Sequence, residues 1–443
     1  MGAGDERALA MSGWAMRLYL ALARRAAPLW RQSLRRRLRR GKEDAARLSE
    51  REGIASHPRA AGPVLWVHAL GLGEAVALLA VIGAVARARP DVQIVLTTNT
   101  RTGAEGLAKI GLPGACVHQY APMEAAGPLA RFLDHWRPQA LVVAELDLWP
   151  LMLVSARARG IPVMMANARM TDHRFKGRRR LGRFFADVLA LPDLMLVQDA
   201  LTKARLITLG ADPARVQVAG LLKAAASPLP DQMDQRAALQ HAIGGRPVWL
   251  AAATESREDA VLLEAHRLAR QSLPDLLLIL APRQVTDAEV AAARITSAFG
   301  TVARRSKGAM PQPGDAVYLA DTMGEMGLWY RLARVAFIGH SLPMAGGRAL
   351  TGKNPFEAVS LGSMVVHGPA TGNFAESYAA LADLGGARMA ATAAELAAVV
   401  TGALCNEAMR AACTARAAAV LAAGEAALGQ TVQAVLGLMP PET

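Results

Sequence analysis

The residues best suited to chemistry lie in the stretch Val64-Leu-Trp-Val-His68-Ala-Leu-Gly71-Leu-Gly73-Glu74. Val64 to Ala69 reads as a buried strand, Gly71 and Gly73 as a tight turn, and Ala75 to Arg89 as a helix stopped by Pro90. A unit of this kind delivers side chains to the carboxyl edge of a parallel sheet, where open α/β folds bind ligands. Glu74 stands in the first helical turn, where the helix dipole favours an ionised carboxylate. That suits a general base aimed at a hydroxyl. A Glu whose task is electrostatic capping accounts for the local pattern equally well. A dinucleotide fingerprint does not fit. Val76 occupies the third small position, and Glu74 would repel a bound pyrophosphate.

Further polar groups recur at predicted strand ends. Ala140 to Ala144 leads into Glu145-Leu-Asp147-Leu-Trp149-Pro150, a second carboxylate pair. In the second half, Pro282-Arg283 follows the strand beginning at Leu276, and Met323-Gly324-Glu325 follows Asp321. Asn354-Pro355-Phe356-Glu357 opens a helix after a loop holding Gly346, Gly347 and Gly352. A helix N-terminus with an Arg nearby is a phosphate site, and a Glu one turn in can accept from ribose hydroxyls. Taken singly, a surface Arg or a capping Glu is the commoner explanation. Their convergence on one edge of one domain points to a nucleotide.

These groups need a scaffold, and the chain supplies alternating strands and helices. Val92–Thr97, Ile161–Ala166, Leu194–Val197 and Val216–Ala219 join the strands above in a first βαβ domain. Ser227 to Arg246, with two prolines and a Gly-Gly pair, reads as a linker. The pattern restarts at Val248 and ends in an Ala-rich helical tail. The expectation is an α/β protein of two Rossmann-like, doubly wound parallel-sheet domains with a ligand cleft between them. Its parts are an N-terminal segment 1–41, a first domain 42–226, a linker 227–246 and a second domain 247–443.

Charge is concentrated at one end. Between Arg17 and Arg51 twelve Lys or Arg face three Asp or Glu, which is +9 of the chain's net +13. Trp14, Leu18, Leu22 and Leu29 form an apolar stripe beside Arg17, Arg24, Arg31 and Arg35, interrupted by Arg25. Such a helix favours an anionic membrane surface over nucleic acid. Apolar runs without charge stay too short for a conventional transmembrane helix, and no signal-peptide pattern stands out. The scattered cysteines Cys116, Cys405 and Cys413 form no CxxC pair, which argues for a reducing compartment and against structural zinc.

The ordered motifs resemble those of the 3-deoxy-D-manno-octulosonic acid (Kdo) transferases, membrane-associated glycosyltransferases of GT-B fold. The resemblance runs through Lys42-Glu43-Asp44, Glu50-Arg51, His68 to Glu74, Glu145 to Pro150, Asn167-Ala-Arg169 and Lys223. It continues through Pro282-Arg283, Met323-Gly324-Glu325, Asn354 to Glu357, and Gly368-Pro369 to Asn373-Phe374. It implies inverting transfer of Kdo from CMP-Kdo to a lipid A precursor in lipopolysaccharide core assembly, at the cytoplasmic side of an inner membrane. Glu74 would be the base, and Glu145 and Lys223 would stabilise charge in the transition state. Pro282, Arg283, Met323, Gly324, Glu325, Asn354, Pro355, Phe356 and Glu357 would hold the CMP part. Neither a metal nor a cofactor beyond the donor is implied. The acceptor's phosphates would suit the basic segment and the run Arg174, Lys176, Arg178, Arg179, Arg180, Arg183, which a solvated basic loop also explains.

The chain departs from the pattern at Gly71 (usually Ser), Asp147 (Glu), Glu255 (His) and Gln284 (His). Arg348 to Lys353 also interrupts the run between Gly347 and Asn354. The alternatives are a divergent paralogue using another ulosonic acid or acceptor, and a non-catalytic nucleotide-binding membrane module.

Overall fold

The computed structural model describes residues 13–146, 148–222, 229–343 and 352–442. The chain forms two compact units, one of residues 1–222 with 424–443 and one of residues 223–423.

The first unit is built on a seven-stranded parallel sheet of order β3-β2-β1-β4-β5-β6-β7. Its strands are β1 (Val64–Ala69), β2 (Gln93–Thr98), β3 (Cys116–Tyr120), β4 (Ala140–Ala144), β5 (Val163–Ala168), β6 (Leu194–Val197) and β7 (Val216–Val218). β1 and β2 are buried along their whole length, as expected of parallel strands covered on both faces. On one face Leu65, Val67 and Ala69 pack with Leu78, Val81 and Val85 of the helix Leu72–Ala88. On the other, Val64 and Trp66 pack with Phe132, Leu133 and Trp136 of the helix Ala126–Trp136.

The N-terminal segment, expected as one amphipathic helix, is two: α1 (Trp14–Arg25) and α2 (Ala27–Arg39), with Pro28 in the first turn of α2. Met16, Leu20 and Ala23 belong to the same core as Trp66 and Phe132. The segment is therefore a layer of the first domain as well as a basic surface.

The second unit has a parallel seven-stranded sheet of order β10-β11-β9-β8-β12-β13-β14. Its strands are β8 (Val248–Thr254), β9 (Leu277–Pro282), β10 (Ala303–Arg304), β11 (Val317–Leu319), β12 (Val335–Ile338), β13 (Met364–His367) and β14 (Ala387–Met389). β3, β10 and β14 are absent from the sequence reading. β10 and β14 are too short to show a pattern, and polar His118 and Gln119 disguise β3.

Two expected boundaries differ from the structure. The stretch 227–246 holds a helix, Met233–Ile243, whose Leu239 and Ile243 lie in the second domain's core. The long C-terminal helix Glu407–Leu438 is not wholly a tail of the second domain. Cys413, Ala417 and Val420 lie in that domain's core, whereas Ala427, Val432, Val435 and Met439 complete the core of the first. An 18-residue window of this helix has a mean hydropathy of 1.3, enough by length and composition to cross a membrane, and a third of that window is buried against the protein.

Candidate active site

In each sheet the strand order reverses beside the sheet's first strand, and polar groups gather there. In the first domain the reversal falls between β1 and β4, the switch point where such sheets bind ligands. Glu74 follows β1 and Glu145 follows β4, so the fold sets the two glutamates on adjacent strand ends. Glu74 is half-buried in the first turn of its helix, and its Oε2 accepts from the Gly71 N–H at 3.1 Å. That is half a capping box, because glycine has no hydroxyl to return the bond. The capping reading of Glu74 thus holds, and it engages one carboxylate oxygen only.

Glu145 occupies a left-handed backbone conformation at φ 54°. A non-glycine residue there carries strain of about 1–3 kcal/mol, and such strain concentrates at functional sites. Asn167 (φ 58°), Ala253 (φ 50°) and His340 (φ 57°) share the feature, each at or just past a strand's carboxyl end. The Glu145 carboxylate lies 3.5 Å from Arg174. Arg174 begins the basic run, which is helical over Asp172–Arg179 with no buried residue. The run is therefore more than a solvated loop, since one of its members reaches a candidate catalytic carboxylate.

Several motif residues prove to be structural. Arg51 and Glu43 form a buried pair at 3.1 Å, and Arg51 also donates to the Asn99 and Ala121 carbonyls. Glu50 accepts from the Tyr120 N–H at 2.6 Å and from Arg47. His68 is buried with its Nδ1 2.9 Å from Thr97 Oγ1. Asn167 Oδ1 accepts from the Leu222 N–H at 3.4 Å, tethering the chain one residue before Lys223. Asp147, Lys223, Gly346 and Gly347 lie outside the described residues.

In the second domain the reversal falls between β8 and β12. Glu258, fully buried, accepts from the N–H groups of Glu255, His340, Ser341 and Leu342 at 2.8–3.1 Å. One carboxylate therefore fixes the loops leaving both switch-point strands. Sequence reasoning missed Glu258, which looks like one more acid at a helix start.

Arg283 is exposed beyond β9, and its N–H is bonded to the Thr254 carbonyl at 2.9 Å. Burial and the positive charge of Arg283 push the Lys353 ammonium below its ordinary value. Burial likewise raises the Glu357 carboxyl, against the opposing pull of Arg283. Two cations that repel one another beside a carboxylate suit a phosphate with a hydroxyl-bearing sugar attached. In the sequence Lys353 is the last residue of the Arg348–Lys353 interruption, and its spacing matches no motif.

Two donor-side groups have partners within the domain. The helix opened by Asn354 is only Phe356–Ser360, too short for much dipole, and Asn354 Oδ1 accepts from its own Phe356 N–H at 3.1 Å. Glu325 is engaged by Arg305 at 2.6 Å and by Thr322. Burial alone would raise its carboxyl, but these bonds carry it below its usual value. Met323 is exposed, and Gly324 makes the turn at φ 83°, a conformation open to glycine. Pro355 and Phe356 are buried, so they act as scaffold. Among the described residues no cluster of three or more His, Cys, Asp or Glu is placed to hold a metal.

Two Rossmann-like parallel-sheet domains, each with polar groups at its switch point, make this a two-domain α/β protein. The model of the 3-deoxy-D-manno-octulosonic-acid transferase family matches residues 46–226. The probable mitochondrial 3-deoxy-D-manno-octulosonic acid transferase of Arabidopsis thaliana is 31% identical over 82% of each chain. The 3-deoxy-D-manno-octulosonic acid transferase of Bordetella pertussis is 33% identical over 74% of this chain and 76% of its own. The crystal structure of the C-terminal CMP-Kdo binding domain of WaaA from Acinetobacter baumannii is 29% identical, covering 42% of this chain and 96% of that one, at a TM-score of 0.40. The chain belongs to the Kdo transferase family and is a glycosyltransferase.

Proposed function

We propose that this enzyme moves Kdo from CMP-Kdo to a lipid A precursor with inversion, in lipopolysaccharide core assembly. The observation that carries the reading is the pairing of Glu74 and Glu145 at the switch point of the first domain. The Glu74 carboxylate takes the proton from the acceptor hydroxyl as its oxygen bonds to the anomeric carbon. The bond from that carbon to the phosphate oxygen breaks, and CMP leaves with the electron pair. Glu145, and Lys223 by the family resemblance, stabilise the charge that develops. Arg283, Lys353 and Glu357 hold the nucleotide side, with Asn354 and the Met323–Glu325 turn shaping its walls. The donor is the only small molecule the scheme requires.

We place the enzyme on the cytoplasmic side of the inner membrane as a peripheral or monotopic protein. Trp14, Leu18, Leu22 and Leu29, at 75%, 51%, 64% and 71% exposure, remain an apolar surface among arginines.

The test is CMP release from CMP-Kdo and a tetra-acylated lipid A precursor, with wild type beside Glu74→Gln. We expect release by wild type and a fall of roughly 10²–10⁴-fold in the variant, the range of a general base. Equal rates in the two proteins would remove Glu74 from the chemistry. No turnover by wild type while CMP still binds would point to a divergent donor, another acceptor or a binding module.

A further inference from the structure

His340 lies just past β12, at the switch point of the second domain, and the scheme above gives it no part. Its backbone sits at φ 57°, and that of Ala253, at the end of neighbouring β8, at φ 50°. Neither is a glycine, so each position carries strain that glycine would avoid. The two are joined, with His340 Nδ1 2.9 Å from the Ala253 carbonyl oxygen. The bond decides the chemistry of the ring. A carbonyl oxygen only accepts, so Nδ1 carries the hydrogen, and in the neutral imidazole Nε2 keeps a lone pair. The side chain is partly exposed, and Nε2 has no partner among the described residues.

A chain of backbone bonds links His340 to both donor-side cations. The Gly352 N–H donates to the His340 carbonyl at 2.9 Å, one residue before Lys353. The Lys353 carbonyl is held in turn by the Tyr378 hydroxyl at 2.9 Å. On the other side of β8, the Arg283 N–H donates to the carbonyl of Thr254, the residue after Ala253. The His340 N–H itself is held by the Glu258 carboxylate at 2.8 Å. The ring is thus a fixed acceptor on an edge whose positive charge comes from Arg283 and Lys353. A neutral Nε2 offers no hydrogen to a phosphate oxygen, but it accepts from a hydroxyl. A cytidine monophosphate sugar carries hydroxyls on its ribose and on the sugar to be transferred.

We propose that His340 is a specificity-determining residue whose Nε2 accepts a hydrogen bond from a hydroxyl of the donor, on the ribose or on the transferred sugar. The proposal rests on the CMP-sugar reading above, and its test separates the two. A ring that only tied the end of β12 to the end of β8 would need Nδ1 alone, so the experiment isolates Nε2.

His340→Asn keeps an N–H for the Ala253 carbonyl, tolerates a positive φ and has no atom in the place of Nε2. His340→Gly removes the ring and the strain together. Both accept this backbone conformation, so thermal unfolding should stay near that of the wild type. Calorimetry with CMP and with 2′,3′-dideoxy-CMP, and KM for CMP-Kdo, would be measured on all three proteins. With a ribose hydroxyl as the partner, CMP binds both variants roughly three- to tenfold more weakly, and the dideoxy nucleotide binds all three alike. With a hydroxyl of the transferred sugar, CMP binds all three alike and KM for CMP-Kdo rises in both variants. Either result supports the assignment and locates the hydroxyl. Wild-type affinity and KM in His340→Asn would overturn it, whatever His340→Gly does, and leave the ring as a tie between strand ends. Equal weakening of CMP and the dideoxy nucleotide, or a large drop in unfolding temperature in both variants, would also overturn it, as signs of a distorted site. A wild type that binds neither CMP nor CMP-Kdo would sink the donor reading and this one with it.

Discussion

Glu74 and Glu258 are both glutamates at the start of the helix after the first strand of their sheets, yet burial gives them different work. Glu74 is half-buried and accepts one backbone N–H. Glu258 is enclosed and accepts four, which makes it a fastening for two loops. A similar inversion applies to the histidines, often the first candidates for catalysis. His266 is fully buried, with Nδ1 3.1 Å from Trp249 Nε1 and Nε2 2.8 Å from the Ala316 carbonyl. The indole donates to Nδ1, so Nε2 carries the proton and the ring is neutral. Burial, with lesser repulsion from Arg270 and Arg246, pushes its pKa down to about 3. An unfolded His protonates near pH 6.5 while the folded one does not, so stability is full above that value and falls as pH drops toward 3. Between about pH 7.5 and about pH 5.5 the wild type should lose about 1.4 kcal/mol through this one group. Urea unfolding of wild type and His266→Gln at both pH values checks it; equal pH slopes would remove His266 as a source.

The helix α1 shows how one element serves two surroundings. Its Met16–Leu20–Ala23 face is in the domain core, while Trp14, Leu18 and Leu22 face outward. The outward face carries nothing the fold needs. Replacing Trp14, Leu18 and Leu22 together by Ser should leave the far-ultraviolet circular dichroism unchanged. Partition onto anionic vesicles should fall by more than about tenfold, since each fully buried side chain of this size is worth roughly 1.5–3 kcal/mol. Partition unchanged in co-sedimentation would mean that another surface meets the membrane. In α2 the arginines divide likewise, with Arg31 and Arg37 paired to Glu52 and Glu43 at 2.7 and 2.6 Å. The count of basic residues therefore overstates the charge presented to lipid.

At the scale of the molecule, the C-terminal segment ties the chain's end to its beginning. Ala427, Val432, Val435 and Met439 sit among Leu65, Val67 and Leu78 in the first domain's core. Val435→Asp puts a carboxylate with no partner into that core, at a cost of several kcal/mol. Hydrogen exchange followed by mass spectrometry should then quicken in Val64–Ala69 and Leu72–Ala88 and stay unchanged in Val248–Thr254. Uniform acceleration in both domains would show that their stabilities are not separable.

Local pattern determined much of this protein. Strands β1, β4 and β6 are legible to the residue because buried parallel strands are near-continuous apolar runs, broken in β1 only by His68. The positions of Glu74 and Glu145 after their strands, and of Arg283 after β9, follow from the same periodicity. Tertiary structure decided the rest, because burial and pairing between residues far apart in sequence leave no local trace. That β1 and β4 are neighbours, bringing Glu74 and Glu145 to one edge, is a matter of sheet order. Arg174 beside Glu145, Lys353 and Glu357 each beside Arg283, and Glu258 beneath two loops depend on such meetings. The C-terminal helix is the clearest case. Its Ala-rich sequence predicts a helix and nothing more, and only the shape of the first domain's core selects which of its residues are buried.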